Sequence, residues 1–538
     1  MRTNGHRRAV SSFFVVAALV WGRGAIAEPL PADTAPSATP SGSSAPAPAN
    51  TGTAPASSSQ VSPTTSSQAG NNASASSTDT ASPPPEAPLP PYMKGLTEPL
   101  RPGQGKFHFG SYGRVTGSID GRGGAGRDAD IVARGSRLDE SSYVELELRR
   151  EDNWTKPGET TPVTTRIVTT LALFDPLFHY SGKASASTAI RNLYLQTRGV
   201  GSEKLSLWVG SRMYRGDDVY LLDFWPLDNL NTVGGGAMLD AGEHTSIALH
   251  VGTNRLDNPY QYQLVDRARP FNQFGTVQVP LLNRPRVIET ARVEHILPMF
   301  TPKGGLKLVG YGELHQLAGG QRESSPGQYE DLPADSGFVA GLEVGAFSGS
   351  NDTYINVFFR HARGLAAYGD FATPYALNTD KTTSGANETR VAVSANWETG
   401  PIALLFGGYF RSFRTASPDK FNYDNLDEGI VVLRPHYYFT DRVGVFVEGS
   451  FQQQQRAILN NQGTGLLKGS VTRFGVVPFV SPAGKGSYRR PHLRAIWTVT
   501  ARDEGARSMY APDDAFARRP TEHFFGLEAE WWFNSSYR

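Results

Sequence analysis

The chain has 538 residues, no cysteine and a nearly balanced charge, with 52 Lys and Arg against 51 Asp and Glu. The lack of cysteine excludes disulfide bonds and thiolate metal sites, and the balanced charge argues against a nucleic-acid partner, which would require a basic face. A mean hydropathy of -0.36 argues against a bundle of membrane-spanning helices.

The N-terminus has the pattern of a secretory signal peptide over residues 1–27. A basic start is followed by an apolar run from Phe13 to Trp21, and Ala25-Ile26-Ala27 fits a small-residue cleavage site. The apolar run is too short for a membrane-spanning helix. We therefore predict an exported protein whose mature chain starts at Glu28.

Residues 28–95 consist mainly of Pro, Ala, Ser and Thr. Such a composition cannot bury enough apolar surface to form a core. We predict a disordered linker with local polyproline II character, which physically is an extended tether.

From about Lys106 the sequence changes to short runs in which apolar and polar residues alternate, separated by clusters of Gly, Asn, Asp and Pro. Alternation places apolar and polar side chains on opposite faces of a strand. The fold class that this indicates is all-β, a transmembrane antiparallel β-barrel formed by residues 96–538. Strands of about ten residues joined by short turns and long loops would number roughly 16 to 18.

The last run, Gly526–Phe533, shows the pattern most clearly. Glu528, Glu530 and Trp532 share one face, while leucine, alanine and further aromatic residues share the other. A barrel strand has this pattern because one face meets lipid and the other a wet lumen, with aromatic residues at the membrane interface. Taken alone, the run also fits an amphipathic strand of a soluble protein.

The region from about Phe107 to Phe533 resembles maltoporin and the related carbohydrate-selective porins of Gram-negative outer membranes. The similar segments occur in the family's order: Phe107–Arg114 as the first strand, Arg137–Glu147 as the second, Trp208–Phe224 as the strand and third loop, Ser487–Arg494, and the final Glu-Trp-Trp. The third-loop segment is the most specific of the five.

The resemblance implies an 18-stranded barrel with an inward-folded third loop, assembled as a homotrimer in outer-membrane lipid. It implies passive, sugar-selective diffusion of maltodextrin-type oligosaccharides or related sugars, with no catalysis and no cofactor. The N-terminal linker would then be periplasmic. Its partner stays open between a periplasmic binding protein, the cell wall and none.

In this family sugars move along a path of aromatic rings, opposite ionic residues that bind hydroxyl groups. The resemblance assigns four aromatic residues to this path, and each shares the polar face of its run: Tyr112, Tyr143, Tyr488 and Trp532. The alternative is that these rings only fill the lumen or support a loop. Phe174 and Phe178 are candidates for the ring that a loop lends to a neighbouring subunit, and Phe338, the nearest match to a central phenylalanine, falls on the apolar face.

The resemblance also assigns an ionic track and a constriction. Its members here are Arg114, Arg137, Glu145, Arg191, Arg215, Asp223 and Trp225, and for each charge the alternative is a wall salt bridge or a solvated loop charge. Two positions depart from the family, because Gly216 replaces a basic residue and Trp225 replaces the tyrosine of the constriction. These departures leave the preferred sugar open.

Three other functions are compatible with parts of the sequence. A general or anion-preferring porin shares the barrel but does not need lumenal aromatic residues. A barrel enzyme needs a nucleophile with a nearby base, and the chain has no G-x-S-x-G motif. An adhesin is supported only by the linker. Acidic pairs such as Asp217-Asp218 and Asp513-Asp514 lack the spacing of a calcium loop, so we predict no metal site.

Overall fold

The computed structural model describes residues 100–174, 177–178, 182, 186–270, 273–299, 301–349, 352–369 and 373–534. The predicted signal peptide and linker lie outside the described residues. The barrel itself begins at Gly105, slightly after the predicted boundary at residue 96.

Eighteen of the described strands form one sheet in which neighbours along the chain pair antiparallel. With strands numbered in chain order, they are β1 Gly105–Asp120, β2 Tyr143–Asn153, β3 Thr164–Phe174, β4 Ser187–Arg198, β5 Leu205–Arg215, β6 Asn229–Asp240, β7 Thr245–Asn254, β10 Arg286–Pro298, β11 Gly305–Leu317, β14 Asp335–Phe347, β15 Tyr354–Gly364, β16 Asn387–Thr399, β17 Ile402–Arg414, β18 Leu426–Tyr438, β19 Val443–Leu459, β20 Leu466–Val480, β21 His492–Arg502 and β22 Thr521–Phe533. β1 pairs with both β2 and β22, which closes the sheet into a barrel. The prediction of an 18-stranded barrel is confirmed.

The remaining elements are small and lie in the connections. β8 Tyr262–Ala268 pairs with β9 Thr276–Asn283, and β12 Gly320–Ser325 pairs with β13 Gln328–Leu332. Two short helices, α1 Glu504–Ser508 and α2 Ala515–Arg518, precede the last strand. Among the described residues, no helix is long and apolar enough to cross a membrane.

Burial along the barrel strands is inverted relative to a soluble protein. On β2, Leu148 is 59% exposed whereas the neighbouring Glu147 is 2% exposed. β22 shows the same inversion, with Leu527 72% exposed and the neighbouring Glu528 5% exposed. An outer face of this kind requires lipid around it, so the predicted period of two correctly separated the two faces of the wall.

The connections differ at the two ends of the barrel. Long segments join β1 to β2 and β5 to β6 at one end, which we call the long-loop end; most connections at the other, short-turn end are brief. Two long segments and one short-turn segment matter below: the first loop, 121–142; the third loop, 216–228; and the turn 481–491.

The largest apolar core joins the third loop to one part of the wall. Val219, Leu221 and Leu227 cluster with buried residues of β14–β18, including Phe358 and Leu405. The approach is so close that a Cβ atom at Gly341 or Gly407 would collide with Leu227 or Val219. These wall residues lie on the face opposite to the exposed one, so that face is not uniformly polar.

Candidate functional site

Tyrosines and charged residues alternate between the first two strands of the barrel. In the β1–β2 register, Tyr112 pairs with Glu145 and Arg114 pairs with Tyr143. The two tyrosines are therefore diagonal neighbours, with ring centres 6.0 Å apart, and the Arg114 guanidinium lies 5.9 Å from the centre of the Tyr143 ring. Diagonal pairs on one face of a sheet are within reach of aromatic side chains.

β4 adds a second guanidinium to Tyr143. Arg191 lies 5.9 Å from the centre of the Tyr143 ring and 3.6 Å from the carboxylate of Glu145. The Tyr143 hydroxyl donates to the same carboxylate at 2.5 Å. Glu145 is thus held by a hydroxyl and a cation, and two guanidiniums from different strands lie near the Tyr143 ring.

The end of β5 and the third loop contribute further charged and aromatic residues to the site. The Arg215 guanidinium lies 3.8 Å from the Trp225 ring centre, and its Nε donates to the Asn229 side chain at 2.8 Å. Asp223 adopts a left-handed conformation, with φ of 46°, directly before Phe224 and Trp225. Such a backbone is costly for a residue other than glycine and marks a place where the surrounding structure imposes it.

These segments enclose a cavity of about 230 Å³, which we call the tyrosine cavity. Eight of the residues assigned from the sequence line it: Tyr112, Arg114, Tyr143, Glu145, Arg191, Arg215, Asp223 and Trp225. Three further residues line the cavity and were not predicted from the sequence: Arg134, Phe224 and Asn229. Arg134 and Phe224 lie in loops, where no alternation indicates a face.

A second aromatic group, the Tyr220 group, is formed by Tyr220, Tyr354, Tyr488 and Trp532. The Tyr220 ring centre is 5.3 Å from that of Tyr488 and 6.0 Å from that of Trp532, and the hydroxyls of Tyr354 and Tyr488 are 2.6 Å apart. Trp532 pairs with Tyr112 in the β1–β22 register. The second group therefore adjoins the tyrosine cavity across one strand pair.

Tyr488 requires a correction. Its assignment to the polar face assumed that it lies on the strand that contains His492. In the structure β21 begins only at His492, and Tyr488 belongs to the turn 481–491. The parity argument for Tyr488 was therefore wrong, and its ring is positioned instead by Tyr220 and Tyr354.

Arg137 lies in the first loop, where it contacts both aromatic groups. Its guanidinium donates to the Tyr112 hydroxyl, lies 4.9 Å from the Tyr220 ring centre, and is 3.3 Å from Glu530. It also approaches Glu140 at 3.4 Å, beside the 2.6 Å pair between Arg114 and Glu140. Arg137 thus borders the tyrosine cavity without lining it.

Burial dominates the ionisation of Glu140 in the first loop. Burial raises the pKa of the Glu140 carboxyl above its usual value, although Arg114 and Arg137 act in the opposite direction.

For Tyr220 in the third loop, burial also acts to raise the pKa. Arg490 and the neighbouring arginines outweigh this effect, so the pKa of the phenol is lowered. The neighbouring arginines, more than burial, thus set the direction of the pKa shift of Tyr220.

Phe174 and Phe178 lie at and just beyond the end of β3. Phe174 ends β3, where it pairs with Tyr143 in the register, and each of the two rings is 37% exposed. Neither lines the tyrosine cavity. Phe338, the nearest match to the central phenylalanine, is an exposed residue of the outer face, as its parity predicted.

Packing explains the glycine at position 216, where the resemblance leads one to expect a basic residue. The Gly216 N–H donates to the Asp228 carboxylate at 2.6 Å, and the same carboxylate accepts from Arg292 at 2.5 Å. A Cβ atom at residue 216 would collide with the Arg292 guanidinium. Arg292 therefore occupies the space that a basic side chain at this position would need.

Three carboxylates of the first loop lie close together. Asp128, Asp130 and Asp139 have oxygen atoms within 4.8 Å of one another. Arg473 donates to Asp139 at 2.8 Å and to Asp130 at 3.0 Å. The guanidinium already balances part of the cluster's charge, so the geometry is that of an internal ion-pair network.

The chain was compared with known proteins. Residues 107–533 match the family model described as LamB porin. Maltoporin of Vibrio cholerae serotype O1, strain El Tor Inaba N16961, is 24% identical over 352 residues, which are 63% of this chain and 75% of the relative. Maltoporin of the Classical Ogawa 395 strain is also 24% identical, over 63% of this chain and 74% of the relative.

Solved structures give more distant likenesses. OccK1 (OpdK) of Pseudomonas aeruginosa has 11% identity and a TM-score of 0.39, covering 80% of this chain and 98% of its own. The trimer form of OmpT from Vibrio cholerae has 12% identity and a TM-score of 0.35, covering 80% of this chain and 100% of its own. Such low TM-scores carry no inference about function.

Proposed function

Since the chain belongs to the LamB porin family, we propose that this outer-membrane porin is selective for sugars and lets oligosaccharides of the maltodextrin type, or related sugars, diffuse passively into the periplasm. The proposal rests on one observation. The tyrosine cavity places four aromatic side chains beside ionic groups that come from the first two strands, from β4 and from the third loop.

The chemistry of a sugar ring matches this combination. A pyranose ring has an apolar face that stacks on an aromatic ring. Its hydroxyl groups lose water in a narrow passage and need charged or polar partners in exchange. Tyr112 and Tyr143 supply adjacent stacking surfaces, while Arg114, Arg191 and Glu145 supply donors and acceptors beside them.

We propose that the third loop folds inward and narrows the channel. Its apolar residues, Val219, Leu221 and Leu227, contact the opposite wall and would anchor it. Its polar and aromatic residues Asp223 and Trp225 line the tyrosine cavity. One segment would thereby both restrict the passage and contribute to the site.

The Tyr220 group is proposed as the continuation of the path. Tyr112 on β1 pairs with Trp532 on β22, and Trp532 in turn contacts Tyr220. A sugar that leaves the tyrosine cavity would meet a second set of rings. Several weak sites in series allow movement without trapping, as conduction requires.

The remaining parts of the proposal follow the family. The protein would be a homotrimer in outer-membrane lipid, with its N-terminal linker in the periplasm. Phe174 or Phe178 would reach a neighbouring subunit. A periplasmic binding protein and the cell wall are the candidate partners of the linker.

The alternative is a general or anion-preferring porin without sugar specificity. Ion-current measurements on the purified protein in a planar bilayer separate the two. Maltodextrins and sucrose are titrated against the open-channel current, and a sugar-selective porin gives saturable, sugar-specific block. Ohmic channels that respond to no sugar would overturn the proposal.

A matched pair of variants locates the site. Tyr143→Ala should weaken the block, because it removes a ring that faces two guanidiniums. Tyr437→Ala removes a tyrosine that is 48% exposed on the outer face, so it should leave the block unchanged. Equal loss in both variants would indicate a general effect on the barrel.

A further inference from the structure

We propose that the tyrosine cavity prefers saccharides that carry an anionic group, a carboxylate or a phosphate, over neutral sugars of the same size. This inference rests on the proposed sugar-selective function and deepens it. The observation behind it is the charge of the cavity wall: four guanidinium groups, from Arg114, Arg134, Arg191 and Arg215, stand against two carboxylates, those of Glu145 and Asp223.

Residues just behind the wall do not cancel this excess. Glu140 bonds Arg114 at 2.6 Å and reduces the formal balance by one negative charge. Arg137, which approaches Glu140 at 3.4 Å and donates to the Tyr112 hydroxyl, adds one positive charge. Arg137 lies 3.3 Å from Glu530, which also bonds Arg490 and Arg494, and Arg494 bonds Glu528, so these four further groups add two positive and two negative charges. With all of them included, the formal excess is again two positive charges.

The negative charge of Glu145, one of the two acidic wall residues, is partly balanced by its neighbours. Glu145 accepts from the Tyr143 hydroxyl at 2.5 Å and lies 3.6 Å from Arg191. Its charge is therefore spread over groups of the wall, and repulsion of an incoming anion is reduced. In an enclosed site, screening by water is weaker than in bulk solvent, so an excess of cations attracts anions strongly.

The position of the guanidiniums relative to the rings favours a sugar with an attached anion over a bare anion. Arg114 and Arg191 each lie 5.9 Å from the centre of the Tyr143 ring, and they come from different strands. A pyranose stacked on Tyr143 would carry its substituents toward one or the other. The planar guanidinium fork matches carboxylate and phosphate oxygens in a bidentate fashion.

Arg215, at the end of β5, adds a further guanidinium to the cavity wall. Its guanidinium lies 3.8 Å from the Trp225 ring centre, so one face of that indole is covered by a cation. An indole covered in this way offers less surface to a neutral sugar ring than the family's constriction tyrosine would. The cavity wall at Arg215 and Trp225 therefore presents positive charge more than aromatic surface.

The test compares α-1,4-linked trigalacturonate with its trimethyl ester, which has the same rings and linkages but no charge. Half-blocking concentrations are measured on the full mature protein in planar bilayers at about 0.1 M KCl. We expect trigalacturonate to block at a concentration at least about tenfold lower, the effect of one charge-assisted hydrogen bond. The preference should shrink at about 1 M KCl, where the Debye length falls to about 3 Å.

Two arginine variants connect the preference to the cavity. Arg191→Gln and Arg215→Gln should each raise the half-blocking concentration of the acid by a larger factor than that of the ester, so that the preference for the acid falls. Arg198→Gln is the matched control, because Arg198 is an exposed residue paired with Asp240 outside the cavity. If the ratio is unchanged in both cavity variants, the inference is overturned.

Competition titrations identify the anionic group that the cavity prefers. Glucuronate and glucose 6-phosphate, titrated as competitors, distinguish a carboxylate from a phosphate as the preferred group, and either preference supports the inference. Inorganic phosphate that competes equally well would reveal an anion channel and overturn it. If the ester blocks as well as the acid, this inference fails and the sugar porin stands; if no sugar blocks at all, the proposed function itself fails.

Discussion

Tyr112 and Tyr143 face the same side of the barrel wall as diagonal neighbours, with ring centres 6.0 Å apart, and each stands directly opposite a charged residue of the adjacent strand. The antiparallel register alone produces this alternation of rings and charges. A sugar that bridges the two rings would contact a charge on either side. The two tyrosines should therefore act as a unit.

A double-mutant cycle tests this unit. We expect Tyr112→Ala and Tyr143→Ala each to weaken sugar block by about tenfold, since one aromatic contact contributes roughly 0.5–1.5 kcal/mol beyond its buried area. Because both rings would hold one sugar, the double variant should lose clearly less than the sum of the two. Half-blocking maltodextrin concentrations give the three free energies, and strictly additive losses would mean that the rings bind separate sugars.

A second prediction concerns the packing at the base of the third loop. Gly216→Ala should destabilise the barrel by roughly 1–3 kcal/mol, the usual cost of overpacking, because its Cβ atom would collide with Arg292. Thermal unfolding, followed by the heat-dependent mobility shift in detergent gels, measures the effect. Gly465→Ala is the control, since a Cβ atom there meets nothing within 4 Å; equal shifts in both variants would contradict the packing argument.

A third prediction concerns the width of the passage at Tyr220. Tyr220→Ala removes a ring that is 3% exposed and contacts both Tyr488 and Trp532. We expect the single-channel conductance to rise, because the space between the third loop and the turn 481–491 opens. Tyr220→Phe keeps the ring and should leave the conductance near that of the parent, so an equal rise in both would show that the hydroxyl contacts, and not the ring, set the width.

A fourth prediction concerns the buried carboxylate of Glu530. It accepts from Arg490 at 2.7 Å, bonds Arg494, and lies 3.3 Å from Arg137. Glu530→Gln leaves these arginines without their shared counter-charge, and breaking a buried ion pair costs about 3–5 kcal/mol. Urea unfolding in lipid vesicles provides the measurement.

The control for Glu530→Gln is Asp240→Asn, which breaks the exposed pair with Arg198. An exposed ion pair contributes about 0–1 kcal/mol, so this variant should unfold close to the parent. A loss at Glu530 no larger than that at Asp240 would contradict a structural role for the carboxylate.

The sequence was sufficient wherever the chain is a strand. Alternation with a period of two placed Tyr112, Tyr143 and Trp532 on the polar face, because a strand offers only two faces and the buried glutamates mark one of them. The same pattern predicted a barrel of roughly 16 to 18 strands, and the resemblance to the sugar porins specified 18. Among the connections, the family resemblance located Asp223 and Trp225.

The sequence was insufficient where the backbone leaves the strand. Tyr488 was counted with His492 on one face, although the strand starts only at His492. Arg134 and Phe224 line the cavity from loops, where side-chain direction depends on contacts with distant segments and not on periodicity. Gly216 was recognised as a departure, but its reason, the position of Arg292 on β10, is a long-range contact that no local pattern indicates.

The pairing of Tyr112 with Trp532 joins the first strand to the last, which has a consequence for biogenesis. More than 400 residues separate the two partners in the chain, and so long a loop must close before the contact can form. A barrel inserted without its final strand would hold most of its wall but no continuous row of rings. The row of rings from the tyrosine cavity to the Tyr220 group would therefore become continuous only when the first and last strands pair, at the last step of assembly.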